Sequence, residues 1–232
     1  VPGPEPAVAP APDLAAACRG VSVRYRTATA VVEAVRDVDA GFGRGRLSVL
    51  AGPSGSGKSS LLRTLAGLQM PHAGAVVVDG VDIAALGPRA RRRLRRRTIG
   101  VVLEEPSANL LPYLRAEEQV TLAARLRGTD PSEAAGLLAA LGLGERIRLH
   151  PEELSGGEQQ RVAFAAAAVG DPALLLADEP TAALDSASAA LVIGAMRDLV
   201  AAGRTLLVAS HDPAVIGAAD HVVELRDGAV VA

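Results

Sequence analysis

The stretch Gly52-Pro53-Ser54-Gly55-Ser56-Gly57-Lys58-Ser59 sets an ammonium and a hydroxyl directly behind a glycine-rich turn. The spacing G-x-x-x-x-G-K-S lets backbone N–H groups close around phosphate oxygens while a helix N-terminus points at the same anion. Lys58 is expected to reach the β- and γ-phosphates of a nucleotide and Ser59 to hold Mg2+. A glycine-rich turn that binds nothing is the alternative, and it leaves Lys-Ser at this offset unexplained. The chain carries 24 basic side chains, and Lys58 is its only lysine. A compact point charge fits a phosphate cradle where a planar guanidinium would be too bulky.

Two more groups of residues could do chemistry. Asp178 and Glu179 follow the apolar run Leu174-Leu175-Leu176-Ala177. In an open α/β sheet, ligands bind where strands emerge at their C-terminal ends. Asp178 is expected in the Mg2+ shell, and Glu179 is expected to polarise an attacking water, because phosphoryl transfer needs a nucleophile held in line. The alternative is an acidic pair that only caps a turn. Ser210-His211-Asp212 repeats the placement after Thr205-Leu206-Leu207-Val208-Ala209. There His211 could hydrogen-bond a γ-phosphate or the attacking water, or the segment could be a helix cap before Pro213.

The elements that must position these residues are legible in the pattern. Leu47–Ala51 predicts the strand ahead of the glycine-rich loop, and Ser60–Leu65 the helix after it. Val21–Tyr25 and Ala30–Val38 predict an antiparallel pair, and Ala75–Val78 a further strand ending at Asp79-Gly80. Thr98–Leu103, Ala173–Ala177, Thr205–Ala209 and His221–Leu225 predict more strands. Helical stretches fall at Glu117–Arg127, at Pro131–Leu141 with Pro131 in the first turn, at Gly156–Val169, and at Ser186–Ala202 capped by Asp185 or Ser186. Strand alternating with helix predicts a mostly parallel, covered sheet with a helical subdomain in its middle. Arg89–Arg97 holds seven arginines, read as a solvated helix face ahead of a patch for anionic lipid or an acidic partner. Residues 1–17, with Pro2, Pro4, Pro6, Pro10 and Pro12 among alanines, predict an unpacked tail.

Composition narrows the class. At 232 residues with 2% aromatics, alanine, leucine and valine must fill the core. A net charge of −2 gives no reason to expect a nucleic-acid partner, and the single Cys18 excludes an internal disulfide or a cysteine-rich metal site. No apolar run approaches a spanning helix and no signal peptide pattern is present, so the chain reads as cytosolic, with any membrane reached through a partner.

Leu154-Ser155-Gly156-Gly157-Glu158-Gln159-Gln160-Arg161 resembles the signature motif of ATP-binding cassette proteins. The order glycine-rich loop, signature, Asp-Glu, histidine is that family's order, and the likeness runs from about Cys18 to Val231. Ile99-Gly100-Val101-Val102, Asn109-Leu110-Leu111-Pro112 and His150-Pro151-Glu152-Glu153-Leu154 resemble the branch that serves lipoprotein release and macrolide export. The resemblance implies a P-loop NTPase (RecA-like) core of α/β class, an antiparallel N-terminal β-subdomain, and an inserted helical subdomain over about 104–169 of a single domain 18–232. It implies ATP and Mg2+ as ligands, with Gly52, Pro53, Ser54, Gly55, Ser56, Gly57, Lys58, Ser59 and Ser60 around the phosphates. Tyr25 matches the aromatic that stacks on adenine; a core-packed strand tyrosine is the alternative. Ser155 and the glycines Gly156 and Gly157 form an anion site at a helix start, and Glu158 belongs to the same implied nucleotide-binding set. Asp185, in Ala183-Leu184-Asp185, falls in the loop through which two copies communicate.

In that family each ATP lies between the phosphate loop of one copy and the signature of the other. The resemblance therefore implies a second nucleotide-binding subunit, the same or different, and separate transmembrane permease subunits on the inner face of the cell membrane. The chain departs from the pattern at Glu104, where glutamine is usual, and at Ala166, where arginine is usual. Glu104 is expected to join Ser59 and Asp178 at the metal and to alter metal affinity or coupling. Other readings are a soluble cassette acting on DNA or ribosomes, a small-molecule P-loop kinase, and a hydrolysis-impaired regulatory cassette paired with an active partner.

Overall fold

The computed structural model describes residues 13–26 and 30–231. An N-terminal sheet comes first. Strands β1 (Leu14–Arg26) and β2 (Val31–Gly43) pair antiparallel, β4 (Ala73–Val78) joins the other side of β1, and β5 (Val81–Asp82) closes the order β2-β1-β4-β5. The expected unpacked tail lies outside the described residues up to residue 12. Its last part is a correction: Leu14–Ala17 open β1, with Ala15, Ala16 and Ala17 buried. Alanine is a poor strand former, so its pattern there resembles the proline-rich stretch ahead of it. What holds it is ladder pairing on both sides, with Ala16 opposite Phe42 and Val78.

The second sheet has order β10-β9-β3-β8-β7-β6. Its members are β3 (Leu47–Ala51), β6 (Ile99–Val102), β7 (Leu174–Asp178), β8 (Leu206–Ser210), β9 (His221–Arg226) and β10 (Ala229–Val230). All pair parallel except the short β10, which turns back on β9. The strands β3, β7 and β8 are buried along their whole length, as apolar runs of this kind demand when both faces are covered. Successive residues serve opposite faces. Leu50, Leu176 and Leu207 pack with α1 (Lys58–Leu65) and the N-terminal sheet, whereas Val49, Leu175 and Val208 pack with the remaining helices. Each fully buried leucine contributes about 2 kcal/mol of apolar transfer.

Between β6 and β7 the chain inserts α3 (Ala116–Arg127), α4 (Glu133–Ala140) and α5 (Gly156–Ala168), with 3-10 turns at Pro106–Asn109, Gly144–Arg146 and Pro151–Glu153. Pro131 stands ahead of α4, whose N-cap is Ser132, because Asp130 Oδ1 accepts the Ser132 N–H at 2.9 Å and holds a turn there. Helix α6 (Ser186–Ala201) is capped by Asp185, which accepts from the Ser188 N–H at 2.9 Å, and α7 (Pro213–Gly217) is capped by Asp212. The arginine run forms α2 (Pro88–Thr98), which leads into β6. No helix among the described residues is long and apolar enough to cross a membrane.

Candidate active site

The glycine-rich loop links the C-terminal end of β3 to α1. At two of its glycines the backbone leaves no room for a side chain. At Gly52 (φ 147) an added Cβ would lie 2.1 Å from Leu225 O, and at Gly57 (φ 102) it would lie 2.2 Å from Ala34 O. Gly57 is the N-cap of α1 and offers no side-chain cap, so the first N–H groups of the helix remain directed at the loop. The partial positive charge of a helix start adds to them.

Lys58 is 5% exposed, and its Nζ donates to Gly52 O at 2.8 Å and to Pro53 O at 3.1 Å. The same ammonium stands 3.3 Å from Glu179 Oε1. That carboxylate oxygen also lies 3.0 Å from His211 Nδ1, and Glu179 Oε2 accepts the His211 N–H at 3.4 Å. Glu179 sits just past β7 with φ 43, a left-handed conformation costing about 1 kcal/mol or more for a residue with a Cβ. Its N–H donates to Ala209 O at 2.8 Å, which ties the strand end to β8 and fixes the carboxylate beside the histidine. Thr181 Oγ1 donates to Asp212 Oδ2 at 3.0 Å and locks the two loops together.

Ser59 Oγ donates to Asp178 Oδ1 at 2.8 Å. Burial pushes the Asp178 carboxyl above the ordinary carboxylate range, although the Ser59 hydroxyl, Arg63 and Lys58 all oppose that shift. A desolvated carboxylate against a hydroxyl is a donor set suited to a hard cation with oxygen ligands. Among the described residues no cluster of three His, Cys, Asp or Glu could hold a metal alone. Mg2+ would fit this pair only by completing its shell from phosphate and water, which is its usual habit.

Lys58, Ser59, Ser60, Ser54, Gly55 and Gly57 line one cleft of about 240 Å³ together with Ala34, Glu104, Glu179, Ala182 and His211. Glu104 is exposed and has no hydrogen-bond or ion-pair partner among the described residues. Clefts of about 480 Å³ near Arg44 and about 510 Å³ beside α2 are larger, but neither contains a phosphate-loop residue. A polyphosphate is gripped by backbone N–H groups and charge, so the smaller, more polar cleft is the one with the chemistry.

Tyr25 is half-buried against the N-terminal sheet's core, and its hydroxyl bonds Ser60 Oγ at 3.1 Å and Gln69 Oε1 at 2.5 Å. It therefore borders the loop through Ser60 without lining the cleft. Ser155 is the N-cap of α5. Its Oγ and N–H bond Glu158 Oε2 at 2.9 Å each, a closed capping box that holds the Glu158 carboxyl below its ordinary range. Gly157 lies against α6, where an added Cβ would come 2.9 Å from Ser188 Cβ. None of Ser155, Gly156, Gly157, Glu158 or Asp185 lines the phosphate cleft.

Two residues quoted only within motifs turn out to have positioning roles that those motifs do not state. Asn109 staples the loop after β6: its Nδ2 donates to Leu103 O, Glu105 O and Gln160 Oε1, and its Oδ1 accepts from the Leu103 N–H at 2.7 Å. Gln160, on α5, donates to Leu103 O at 3.1 Å. The loop carrying Glu104 is thus fastened to the helix that starts at Ser155.

Residues 35–182 match the profile of the ABC transporter family. The chain is 41% identical to a macrolide export ATP-binding/permease protein MacB of Paracoccus denitrificans over 92% of its own length, and spans about a third (32%) of that relative. It is 38% identical to the lipoprotein-releasing system ATP-binding protein LolD of Hyphomonas neptunium, covering 91% of this chain and 94% of that one. Among solved structures it matches the dimeric, post-hydrolysis state of the ATP-binding cassette MJ0796 bound to ADP and Pi. There the TM-score is 0.84 at 30% identity, over 94% of this chain and 97% of that one. A profile over more than half the chain, a relative matched nearly end to end and the same cassette fold agree: the chain belongs to the ABC transporter family as one of its ATPase cassettes.

Proposed function

We propose that the chain binds and hydrolyses ATP as a pair of copies, each phosphate loop facing the other copy's α5 N-terminus, and that this closure drives separate permease subunits at the inner membrane face. The observation that carries the reading is the division of labour within one chain. Lys58, Ser59, Glu179 and His211 converge on one cleft, while Ser155, Gly156 and Gly157 open a helix start that does not line it. A second glycine-opened helix start set apart from the cleft is explained if it serves the nucleotide of a facing copy.

In this reading the loop N–H groups and Lys58 hold the β- and γ-phosphates, and Tyr25 borders the base. Mg2+, held by Ser59 and Asp178 with Glu104 nearby, would offset phosphate charge and orient the leaving oxygens. Glu179 takes hold of the attacking water and His211 steadies both. The relation to MacB and LolD supports a permease partner, since the names of those relatives describe a combined ATP-binding/permease protein and an ATP-binding protein of a releasing system.

The test is to measure phosphate release by the purified chain and by Glu179→Gln, then to size Glu179→Gln with ATP and Mg2+ by light scattering. The expected result is turnover in the first and a nucleotide-bound dimer in the second. A variant that stays monomeric and free of nucleotide, even with its permease present, would overturn the reading.

A further inference from the structure

The arginine-rich helix α2 is not used by the nucleotide cleft. Its end at Thr98 leads into the N-terminal end of β6, whereas the cleft lies beyond the C-terminal ends of β3, β7 and β8. Six arginines elsewhere in the chain pair with carboxylates: Arg24 with Glu33, Arg44 with Asp79, Arg146 with Glu158, Arg197 with Asp220, Arg204 with Asp171 and Arg226 with Glu224. None of the arginines of α2 has an ion pair among the described residues. Arg91 donates to Leu86 O and Met70 Sδ and Arg95 to Gly67 O, and among the described residues the guanidiniums of Arg89, Arg92, Arg93, Arg96 and Arg97 have no hydrogen-bonded partner. The first turn contains no acidic residue, so Arg89 and Arg91 oppose the helix dipole, and like charges recur at one-turn spacing. The fold of this chain alone does not answer that charge.

Arg89, Arg93 and Arg97 form one line, with successive members about 6 Å apart along the axis. They rim a groove of about 510 Å³ whose apolar floor includes Val81 of β5, Leu86 and Leu94. Val81 is 36% exposed, so part of that floor is open to an occupant. We infer that this groove docks an acidic amphipathic helix of a partner protein, its carboxylates repeating every four residues along Arg89, Arg93 and Arg97 and its apolar side on Val81, Leu86 and Leu94. Two features favour a helix over a bilayer. The outward face of α2 carries no large apolar side chain to insert among lipids, because Leu94 turns inward against the core. The apolar surface instead lies in a recess between α2 and β5, which a flat headgroup layer does not enter. The inference does not depend on the nucleotide reading.

The test uses the full chain and a fluorescent designed helical peptide with glutamate at every fourth position beside a leucine stripe. Controls are a scrambled peptide of equal composition and vesicles of phosphatidylglycerol or phosphatidylcholine. Anisotropy should show the designed peptide binding more tightly than the scrambled one, with affinity falling as salt rises. The triple variant Arg89→Glu, Arg93→Glu, Arg97→Glu should weaken binding by about tenfold or more. Leu86→Gln should weaken the designed peptide without changing vesicle binding. Circular dichroism and unaltered nucleotide affinity would show that both variants are folded. Equal binding of designed and scrambled peptides, full affinity in the triple variant, or arginine-dependent capture by phosphatidylglycerol vesicles without peptide binding would each overturn the proposal.

Discussion

Glu179 Oε1 lies 3.3 Å from Lys58 Nζ, so the ammonium that donates to the loop carbonyls of Gly52 and Pro53 is also paired with a carboxylate. A polyphosphate entering the loop competes with that carboxylate for the same cation. Glu179→Gln removes the competing charge and, in the proposed mechanism, the group that polarises water. Nucleotide affinity should rise, and phosphate release should fall by about two orders of magnitude or more. Equilibrium titration and a single-turnover assay on the same preparation check both parts; a joint loss of binding and turnover would contradict this account.

His211 and Asp212 are neighbours with separable duties. His211 Nδ1 faces Glu179, whereas Asp212 caps α7 and accepts from Thr181. His211→Ala should lower kcat by about tenfold to a hundredfold with little change in nucleotide Kd or melting temperature. Asp212→Ala should instead lower stability by about 1 kcal/mol through the lost cap. Paired kinetics and urea unfolding distinguish them.

Glu104 changes the charge of the cleft. With Lys58 positive and Glu104, Asp178 and Glu179 ionised, the formal sum is +1 − 3 = −2, taking His211 as neutral. In the proposed mechanism a nucleotide accompanied by a divalent cation is therefore favoured there over the free tetra-anion. Glu104→Gln should narrow the ratio of nucleotide Kd in EDTA to that in Mg2+ by roughly tenfold, one unit charge at close range in a partly solvated site. An identical ratio in both proteins would show that Glu104 does not act on the metal-bound nucleotide.

The parallel sheet and its loops were legible because burial on both faces writes itself as uninterrupted apolar runs, such as Leu174–Ala177, and because phosphate chemistry fixes residue spacing. The start of β1 was not, since Ala15, Ala16 and Ala17 are held by neighbouring strands and not by their own preference. The two-residue strands β5 and β10 are too short to show a period. Tyr25 was identified as an aromatic, but its anchors Ser60 and Gln69 stand 35 and 44 residues away, a relationship that only folding supplies. The Asn109 staple and the Thr181–Asp212 bond join polar residues with no distinctive spacing. The separation of the α5 helix start from the cleft was anticipated only through the family resemblance.

Glycines of one loop should differ sharply in tolerance. An alanine at position 57 meets Ala34 O at 2.2 Å with φ 102, whereas at position 55 (φ 81) the added carbon meets nothing within 4 Å. Gly57→Ala should destabilise the fold by about 2–3 kcal/mol and lower the melting temperature by about 5–10 °C. Gly55→Ala should lower it by only about 2–4 °C, from the left-handed strain alone. Calorimetry of the two variants is a direct comparison.

The capping box at Ser155 carries a pH signature. Its folded carboxyl, Glu158, titrates below its ordinary value, chiefly because it accepts the Ser155 N–H. The stabilisation is complete above the ordinary carboxylate pKa and is lost as pH falls through the depressed folded value. Glu158→Ala should therefore cost about 1 kcal/mol at neutral pH and progressively less towards about pH 3. Urea unfolding of both proteins at the two pH values checks the sign.

With a single ε-amine in the entire sequence, held between Gly52 O, Pro53 O and Glu179, the molecule has an internal reporter. Reagents that acylate lysine find no other such group along the chain, so mass spectrometry of Lys58 alone reads whether the pocket is filled. Acylation at that one position abolishes the positive charge that stands beside Glu179.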